Sequence, residues 1–389
     1  MATLTPASAA ALSRLRAYRP PPTNYFNVPA SRRAAVLIVL FADRQGDLRV
    51  VLTMRSAAMK NYAGHAALPG GKADSAAETP WETARREACE EIGLPMSDAK
   101  LPWPWRVEEL CQLPTNLART ELGVRPCVAY LTKDLARPTG QLGPAGITTG
   151  TAGEALIPRL QANEVAAVFT AGFHKFLSAD DEVPSSAASA GDPNSSLKTN
   201  PGLGTEREPG PGIEAAGFPA KWYEGEWTNW HKSRWRMHNF YVPVKGPGAQ
   251  VVAWPRSKKS KKSTTNKDEQ AGGGGLRGKV EHENGFTQQA QSQASSIAQT
   301  SAPNEPPSHA QAGPDLRSLS RFRVFGMTAR ILVDTARVAY AEEPAFEHNS
   351  HFGDEEMIAR LLRMGRLSAD RKPGEQGLTR EVLTQAAKM

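Results

Sequence analysis

Cysteine is scarce in this chain: only Cys89, Cys111 and Cys127 occur in 389 residues, and no two of them form a CxxC pair. That argues against a disulfide scaffold and a zinc cluster, and it fits a reducing compartment. Long apolar runs are missing too. The longest, Ala34 to Ala42, has the length of a strand, short of the roughly 18 residues that a membrane-spanning helix needs. Apolar residues make up 40% and aromatics 7%, beside 33 glycines and 30 prolines. Length alone suggests roughly two or three domains, but this composition favours one globular domain with long unstructured insertions. Neither a P-loop nor a Ser-His-Asp order is present.

Acids are absent from one end, residues 1–42, although the net charge is only +7. An acid-free, Arg-containing start is similar to a mitochondrial transit peptide. Against that, YRPPPTNY at residues 18–25 reads as an ordered entry into the first strand. Lys258–Lys262 reads KKSKK. Such a run can bind nucleic acid or an anionic surface, but it is more often a solvated loop, which is the expectation here.

From Arg33 the chain reads AAVLIVLFA, then a polar turn around Asp43–Asp47, then LRVVLTM. Two β-branched runs across a Gly-containing turn predict a β-hairpin. Further strands are expected at Val107–Leu113, Val124–Leu131, Val165–Thr170 and Asn239–Val244. Helices are expected from Thr79 to Gly93, from about Thr328 to Tyr340, and from a capping Asp354 to near Gly365. Residues 184–215 and 255–320 lack periodicity and cannot offset the entropy of ordering. The island Lys221–Trp254 carries five tryptophans and is expected to fold against the core. We therefore expect an N-terminal arm (1–25), a first part of the core (26–183), a disordered linker (184–215), and a Trp-rich insertion with a core strand (216–254). A disordered insertion (255–320), C-terminal helices (321–370) and a flexible tail (371–389) follow. The fold class is α+β.

The chemistry concentrates in Leu68–Leu94, LPGGKADSAAETPWETARREACEEIGL. Thr79 with Glu82 forms a capping box, Pro80 suits the first helical position, and Gly93 closes the helix. Trp81, Ala84, Ala88 and Ile92 share one face, which should be buried. Glu87, Glu90 and Glu91, at i, i+3 and i+4, stack on another. Like charges so placed repel by a few tenths of a kcal/mol (about 0.2–0.5) per pair. A bound hard cation, Mg²⁺ or Mn²⁺, would relieve this. Arg86 can hold a carboxylate by paired hydrogen bonds, and Gly70-Gly71 allows close backbone approach to a ligand. An acidic helix after an ordinary Gly-Gly turn is the bland alternative; loop, cap, arginine and three acids together speak against it.

These residues resemble the Nudix box of the Nudix hydrolase superfamily, G-x5-E-x7-R-E-U-x-E-E-x-G-U with U aliphatic. Glu78, then seven intervening residues, then Arg86-Glu87-Ala88-Cys89-Glu90-Glu91-Ile92-Gly93-Leu94 match in register. Six residues rather than five separate Gly71 from Glu78, and Ala88 stands where a larger aliphatic is common. Leu52-Thr53-Met54-Arg55-Ser56, Gly64 and Leu68-Pro69-Gly70-Gly71-Lys72-Ala73-Asp74 resemble the upstream motif of coenzyme A diphosphatases in that superfamily. Here Tyr62 stands at the motif's His position and Leu68 at its Phe. Phe325-Gly326-Met327-Thr328-Ala329 is similar to the strand-to-helix passage that completes many Nudix domains.

The resemblance implies an α/β/α sandwich with a mixed β-sheet, and hydrolysis of coenzyme A or its derivatives to 3′,5′-ADP and 4′-phosphopantetheine or its acylated form. Glu87, Glu90 and Glu91 would hold Mg²⁺ or Mn²⁺. Arg86 and Glu164 would join them in catalysis, and Arg55, Ser56, Gly70, Gly71 and Lys72 would bind substrate. Alternatives are another nucleoside diphosphate derivative, such as an oxidised nucleotide or ADP-ribose, or a silent Nudix-fold binding module. The expected partner is a small molecule, with no membrane span and no nucleic acid; the oligomeric state is left open. Glu108 and Glu109 are weaker candidates. His348, His351 and Asp354 suggest a metal site but lack further ligands. The tryptophans of 222–235 with Lys232, Arg234 and Arg236 can stack an adenine, though packing is the preferred reading. Ala387-Lys388-Met389 is similar to a variant of the Ser-Lys-Leu peroxisomal address; mitochondria and cytosol stay as alternatives.

Deleting residues 258–318 should leave metal-dependent hydrolysis in place, measured on purified protein, because that tract lacks the pattern needed to join a core. Insoluble or inactive protein would contradict it.

Overall fold

The computed structural model describes residues 4–55, 65–134, 151–160, 162, 165–180, 221–230, 233–245, 250–254, 316–369 and 377–388. The 184–215 linker, nearly all of the 255–320 insertion with its KKSKK run, and Ser56, Lys232, Glu164 and Met389 lie outside these. Contacts divide the chain into a unit of residues 1–256 with 313–389 and a second of 257–312; everything described here belongs to the first.

The strands are β1 (Arg33–Ala42), β2 (Leu48–Arg55), β3 (Ala66–Ala67), β4 (Gly70–Lys72), β5 (Trp105–Gln112), β6 (Asn116–Leu117), β7 (Gly123–Lys133), β8 (Val165–Gly172), β9 (Tyr223–Trp230), β10 (Ser233–Pro243), β11 (Gln250–Ala253) and β12 (Arg321–Phe325). The helices are α1 (Pro6–Ala17), α2 (Pro80–Ile92), α3 (Ala152–Ala155), α4 (Gly326–Tyr340), α5 (Glu355–Arg363) and α6 (Arg380–Ala387).

β1 and β2 form the expected hairpin, with Leu40 opposite Val50. Its turn is closed by the Asp43 carboxylate, which accepts from the amides of Gln45 and Asp47. β7 lies parallel to β1, from Arg33↔Gly123 to Leu40↔Tyr130, among otherwise antiparallel pairings. The main sheet therefore is mixed, in the order β11-β8-β2-β1-β7-β5, with β3, β4 and β6 attached to β2, β1 and β7. β1 is apolar on both faces because both are covered. Leu37, Val39 and Phe41 pack with Ala84, Ala88 and Ile92 of α2. Ile38 and Leu40 pack on the opposite side with Leu12 and Leu15 of α1 and Ile331 and Leu332 of α4. This is the α/β/α layering.

The second sheet is β12-β10-β9, with Asn239 opposite Phe325 and Pro243 opposite Arg321. Trp222 is a core residue: its ring packs beside Phe176 and Phe240, and its indole N–H donates to the Lys175 carbonyl at 2.9 Å. Trp227 is exposed, with the Arg236 guanidinium 5.3 Å from its ring centre. The side chains of Trp230, Arg234 and Trp235 are outside the described residues.

Some expectations need correction. The arm over 1–25 contains α1, capped by Thr5, whose hydroxyl accepts from the Ser8 amide, and it buries Ala11, Leu12 and Leu15. The tail over 371–389 contains α6; Leu378 and Ala386 there pack with Ile358 and Leu361 of α5. Leu316 and Leu319 touch the main core, so an insertion-only deletion stops before them. Asp354 stands at the N-cap of α5 but makes no side-chain cap bond. Its carboxylate instead accepts from the Arg330 guanidinium and the Leu117 amide.

His348, His351 and Asp354 do not assemble a metal site. His348 lies in a buried chain: Tyr223 Oη to His238 Nδ1 at 3.0 Å, His238 Nε2 to His348 Nδ1 at 2.9 Å, and His348 Nε2 to Asp334 Oδ1 at 2.9 Å. Burial first, and then His348, Arg236 and Arg330, push the His238 pKa down to about 3. The unfolded chain thus takes up a proton near the ordinary value of about 6.5, well before the folded protein does. Stability is complete above that pH and is lost as pH falls below it. Denaturant unfolding near pH 7 and about pH 5 should show a wild-type loss on the order of 2 kcal/mol greater than that of His238→Gln.

Candidate functional site

The site begins where β4 runs antiparallel to β1, Gly71 opposite Ala35. The Leu37 amide donates to the Pro69 carbonyl at 2.8 Å, and the Ala73 amide to the Arg33 carbonyl at 3.0 Å. A Cβ at Gly70 would lie 2.4 Å from the Ala35 carbonyl oxygen; one at Gly71 would lie 2.4 Å from Glu87 Oε1. Glycine is needed at both because backbone and carboxylate come this close. α2 then starts as its sequence dictates, with the reciprocal Thr79–Glu82 capping box, and it ends on Gly93 at φ 70°.

Arg86 joins loop and helix. Its Nε donates to Glu78 Oε1 at 2.8 Å and its Nη2 to the Lys72 carbonyl at 2.8 Å. Its Nη1 reaches Glu87 Oε1 at 3.1 Å and Glu90 Oε2 at 3.3 Å. Glu78 also accepts from the Asp74 amide and the Thr83 hydroxyl. The Arg86 guanidinium, above all, holds the Glu78 carboxyl below its usual range. Glu87 shifts the other way: burial raises its pKa, and Arg86 opposes this only in part. Glu91 accepts from the Gly70 amide at 3.2 Å.

The structure thus brings Arg86, Glu87, Glu90, Glu91, Gly70, Gly71 and the Lys72 backbone together. Among the described residues no group of three or more His, Cys, Asp or Glu side chains already converges as metal ligands. Glu87 and Glu90 are turned to Arg86, and Glu91 to the loop. The donor set nevertheless suits a hard divalent cation: carboxylate oxygens only, two of them meeting at one cationic nitrogen, and one carboxylate half-buried against a glycine with no Cβ to spare.

Arg55 ends β2, where its amide donates to the His65 carbonyl at 3.0 Å. Ser56 and Glu164 are outside the described residues; Val165, next to Glu164, pairs with Arg55. Glu108 belongs elsewhere: Arg16 of α1 holds it through two hydrogen bonds of 2.7 and 2.9 Å. Glu109 is raised by burial and faces Arg85 and Asp98. Sequence reasoning passed over Glu78 as a working residue. Its place eight positions before Arg86 was a usable signal.

The chain matches a family model described as NUDIX domain over residues 31–111. It is similar to peroxisomal coenzyme A diphosphatase 1 of Saccharomyces cerevisiae, 41% identical over 126 residues, 32% of this chain and 37% of the relative. It is similar to Nudix hydrolase 15, mitochondrial, of Arabidopsis thaliana, 42% identical over 100 residues, 26% of this chain and 32% of the relative. A third relative, named uncharacterized Nudix hydrolase NudL, of Klebsiella aerogenes, is 36% identical over 124 residues, 31% of this chain and 90% of the relative. The chain spans only about a third of the length of the first two.

The two glycines separate packing from chemistry. Gly71→Ala meets the end of a flexible side chain, so the fold should survive while Glu87 is displaced. We expect kcat for pyrophosphate hydrolysis to drop by about 10²-fold, with the melting temperature nearly unchanged. Gly70→Ala meets backbone and should lower the melting temperature instead. Equal effects of the two on stability would refute this division.

Proposed function

The chain belongs to the Nudix hydrolase family, and from that premise we propose that it cleaves the pyrophosphate bond of coenzyme A or its derivatives with Mg²⁺ or Mn²⁺. The products are 3′,5′-ADP and 4′-phosphopantetheine, or the acylated form. The observation that carries the hydrolytic reading is the Arg86 hub, which sets Glu87 and Glu90 beside a glycine loop bonded to Glu91. The substrate reading is supported by the Arg55 and Gly70-Gly71-Lys72 pattern, and by the name of the yeast relative.

In this reading Glu87, Glu90 and Glu91 hold the cation. When bound, it neutralises phosphate oxygens and lowers the pKa of the attacking water. Arg86 keeps the helix and the loop in register. Gly70, Gly71 and Lys72 let the diphosphate approach the backbone, and Arg55 and Ser56 bind a phosphate group. Water attacks one phosphorus; a new P–O bond forms as the bridging P–O bond breaks, and the leaving phosphate departs with its electron pair. A glutamate of the cluster, or Glu164, accepts the proton. We assign the chain to peroxisomes, as the name of the yeast relative suggests for that protein; the Arabidopsis name makes mitochondria the alternative. No described helix is long and apolar enough to cross a membrane.

Glu91→Gln should lower kcat by about two to four orders of magnitude. Without metal its melting temperature should not fall, since a like charge is removed from α2. The test of substrate is a panel with Mg²⁺ or Mn²⁺: coenzyme A, dephospho-coenzyme A, ADP-ribose and a nucleoside triphosphate. Preference for either of the last two would overturn the coenzyme A assignment, and near wild-type turnover of Glu91→Gln would overturn the catalytic one.

A further inference from the structure

A second cluster of charge lies at the start of β3, the short strand that precedes Gly70-Gly71 in the chain. His65 leads into β3, which pairs with β2 and packs against β12. The His65 ring lies 4.6 Å from that of Phe325. Over the same Phe325 ring, at 4.4 Å, sits the guanidinium of Arg323. Arg323 is 8% exposed and donates through Nε to Asn239 Oδ1 at 2.9 Å. Arg55 is tied to His65 through its backbone, and its Nε is buried without a hydrogen-bond partner.

Two arginines from strands of different sheets thus act on one imidazole: Arg323 shares the Phe325 ring with it, and Arg55 is tied to its backbone and adds its charge. Neither forms an ion pair among the described residues. Buried or half-buried cations without an acid are costly to desolvate unless a counter-charge arrives. Burial, Arg323 and Arg55 together press the His65 pKa down to about 4, so the ring is neutral at neutral pH and adds no third charge. α4 starts directly after Phe325, with no capping side chain and no acid in its first turn, which adds positive potential on the same side.

We propose that Arg55, His65 and Arg323 form an anion subsite for a phosphomonoester that the substrate carries outside the bond being cleaved. A phosphomonoester brings nearly two negative charges and three strong acceptors, which suits two guanidinium forks beside a ring that adds no competing charge. The inference rests on the coenzyme A reading only in that the 3′-phosphate of coenzyme A is such a group. It makes Arg323, contributed from far along the chain, a specificity-determining residue.

The test is calorimetric binding of adenosine 3′,5′-bisphosphate and of AMP, without metal, to wild type, Arg323→Gln, Arg323→Lys and Arg55→Gln. The wild type should bind the bisphosphate at least about tenfold more tightly than AMP. Arg323→Gln and Arg55→Gln should each remove most of that ratio, and Arg323→Lys should keep part of it. NMR titration of His65 in the wild type gives a readout that misfolding of a variant cannot affect. The bisphosphate should raise the pKa of this ring, and AMP should leave it nearly in place. Equal wild-type affinity for the two nucleotides, or an unmoved His65, overturns the subsite. The coenzyme A reading fails separately, if the wild type prefers ADP-ribose or a nucleoside triphosphate in the hydrolysis panel; the binding ratio would still stand.

Discussion

Arg86 occupies the one point where the glycine loop, the turn before α2 and the acid-bearing face of α2 come within reach of a single side chain. Its bonds to Glu78, the Lys72 carbonyl, Glu87 and Glu90 set the spacing between loop and helix. A lysine, a point charge on a flexible stem, has no such fork and could not serve four acceptors in fixed directions. The arrangement is strong on the Glu78 side, where amide, hydroxyl and guanidinium all favour the anion. It is weaker on the Glu87 side, where burial outweighs the same guanidinium. The hub is therefore firmly anchored at the loop and leaves its remaining acceptors available for other work.

Such a concentration of like charge is tolerated because the stability of α2 comes from its other face. Ala84, Ala88 and Ile92 are fully buried against β1 and its neighbours, and the helix is capped at both ends. Burying an Ile or Leu side chain contributes about 1.5–3 kcal/mol, against a few tenths for each repulsive pair. The sheet that receives α2 is itself covered from behind by α1 and α4, so the acid-bearing helix rests on a layer packed on both faces.

The site was legible in the sequence wherever its parts are close in the chain. The capping box, the closing Gly93, the buried face of α2 and the Arg86–Glu91 cluster follow from spacing within 27 residues. The hairpin and both long helices were also readable from periodicity. α1 and α6 were not. α1 is built largely from alanine and serine, and both helices become apolar surfaces only when α4 or α5 supplies a partner. Asp354 shows the limit of local rules: it stands where a cap belongs, but Arg330, one helix away, takes its carboxylate. The meeting of His65 with Arg323 belongs to the same class, since the packing of β3 against β12 leaves no short-range trace.

The order of the elements along the chain also bears on how the protein emerges from the ribosome. β10 receives its partner β12, and the aromatic core surface of Phe169 on β8 and Phe240 on β10 receives α4, only after the tract from 255 to 315 has been translated. In the finished protein a long connection costs little, because closure entropy grows only as the logarithm of its length, about 0.6 kcal/mol per doubling. During synthesis the dependence is linear. At roughly 5–20 residues per second, a tract of this size keeps that aromatic surface uncovered for several seconds. Lengthening the insertion would thus barely change the folded state, yet it would extend in proportion the interval in which a nascent chain can aggregate or be captured by a chaperone.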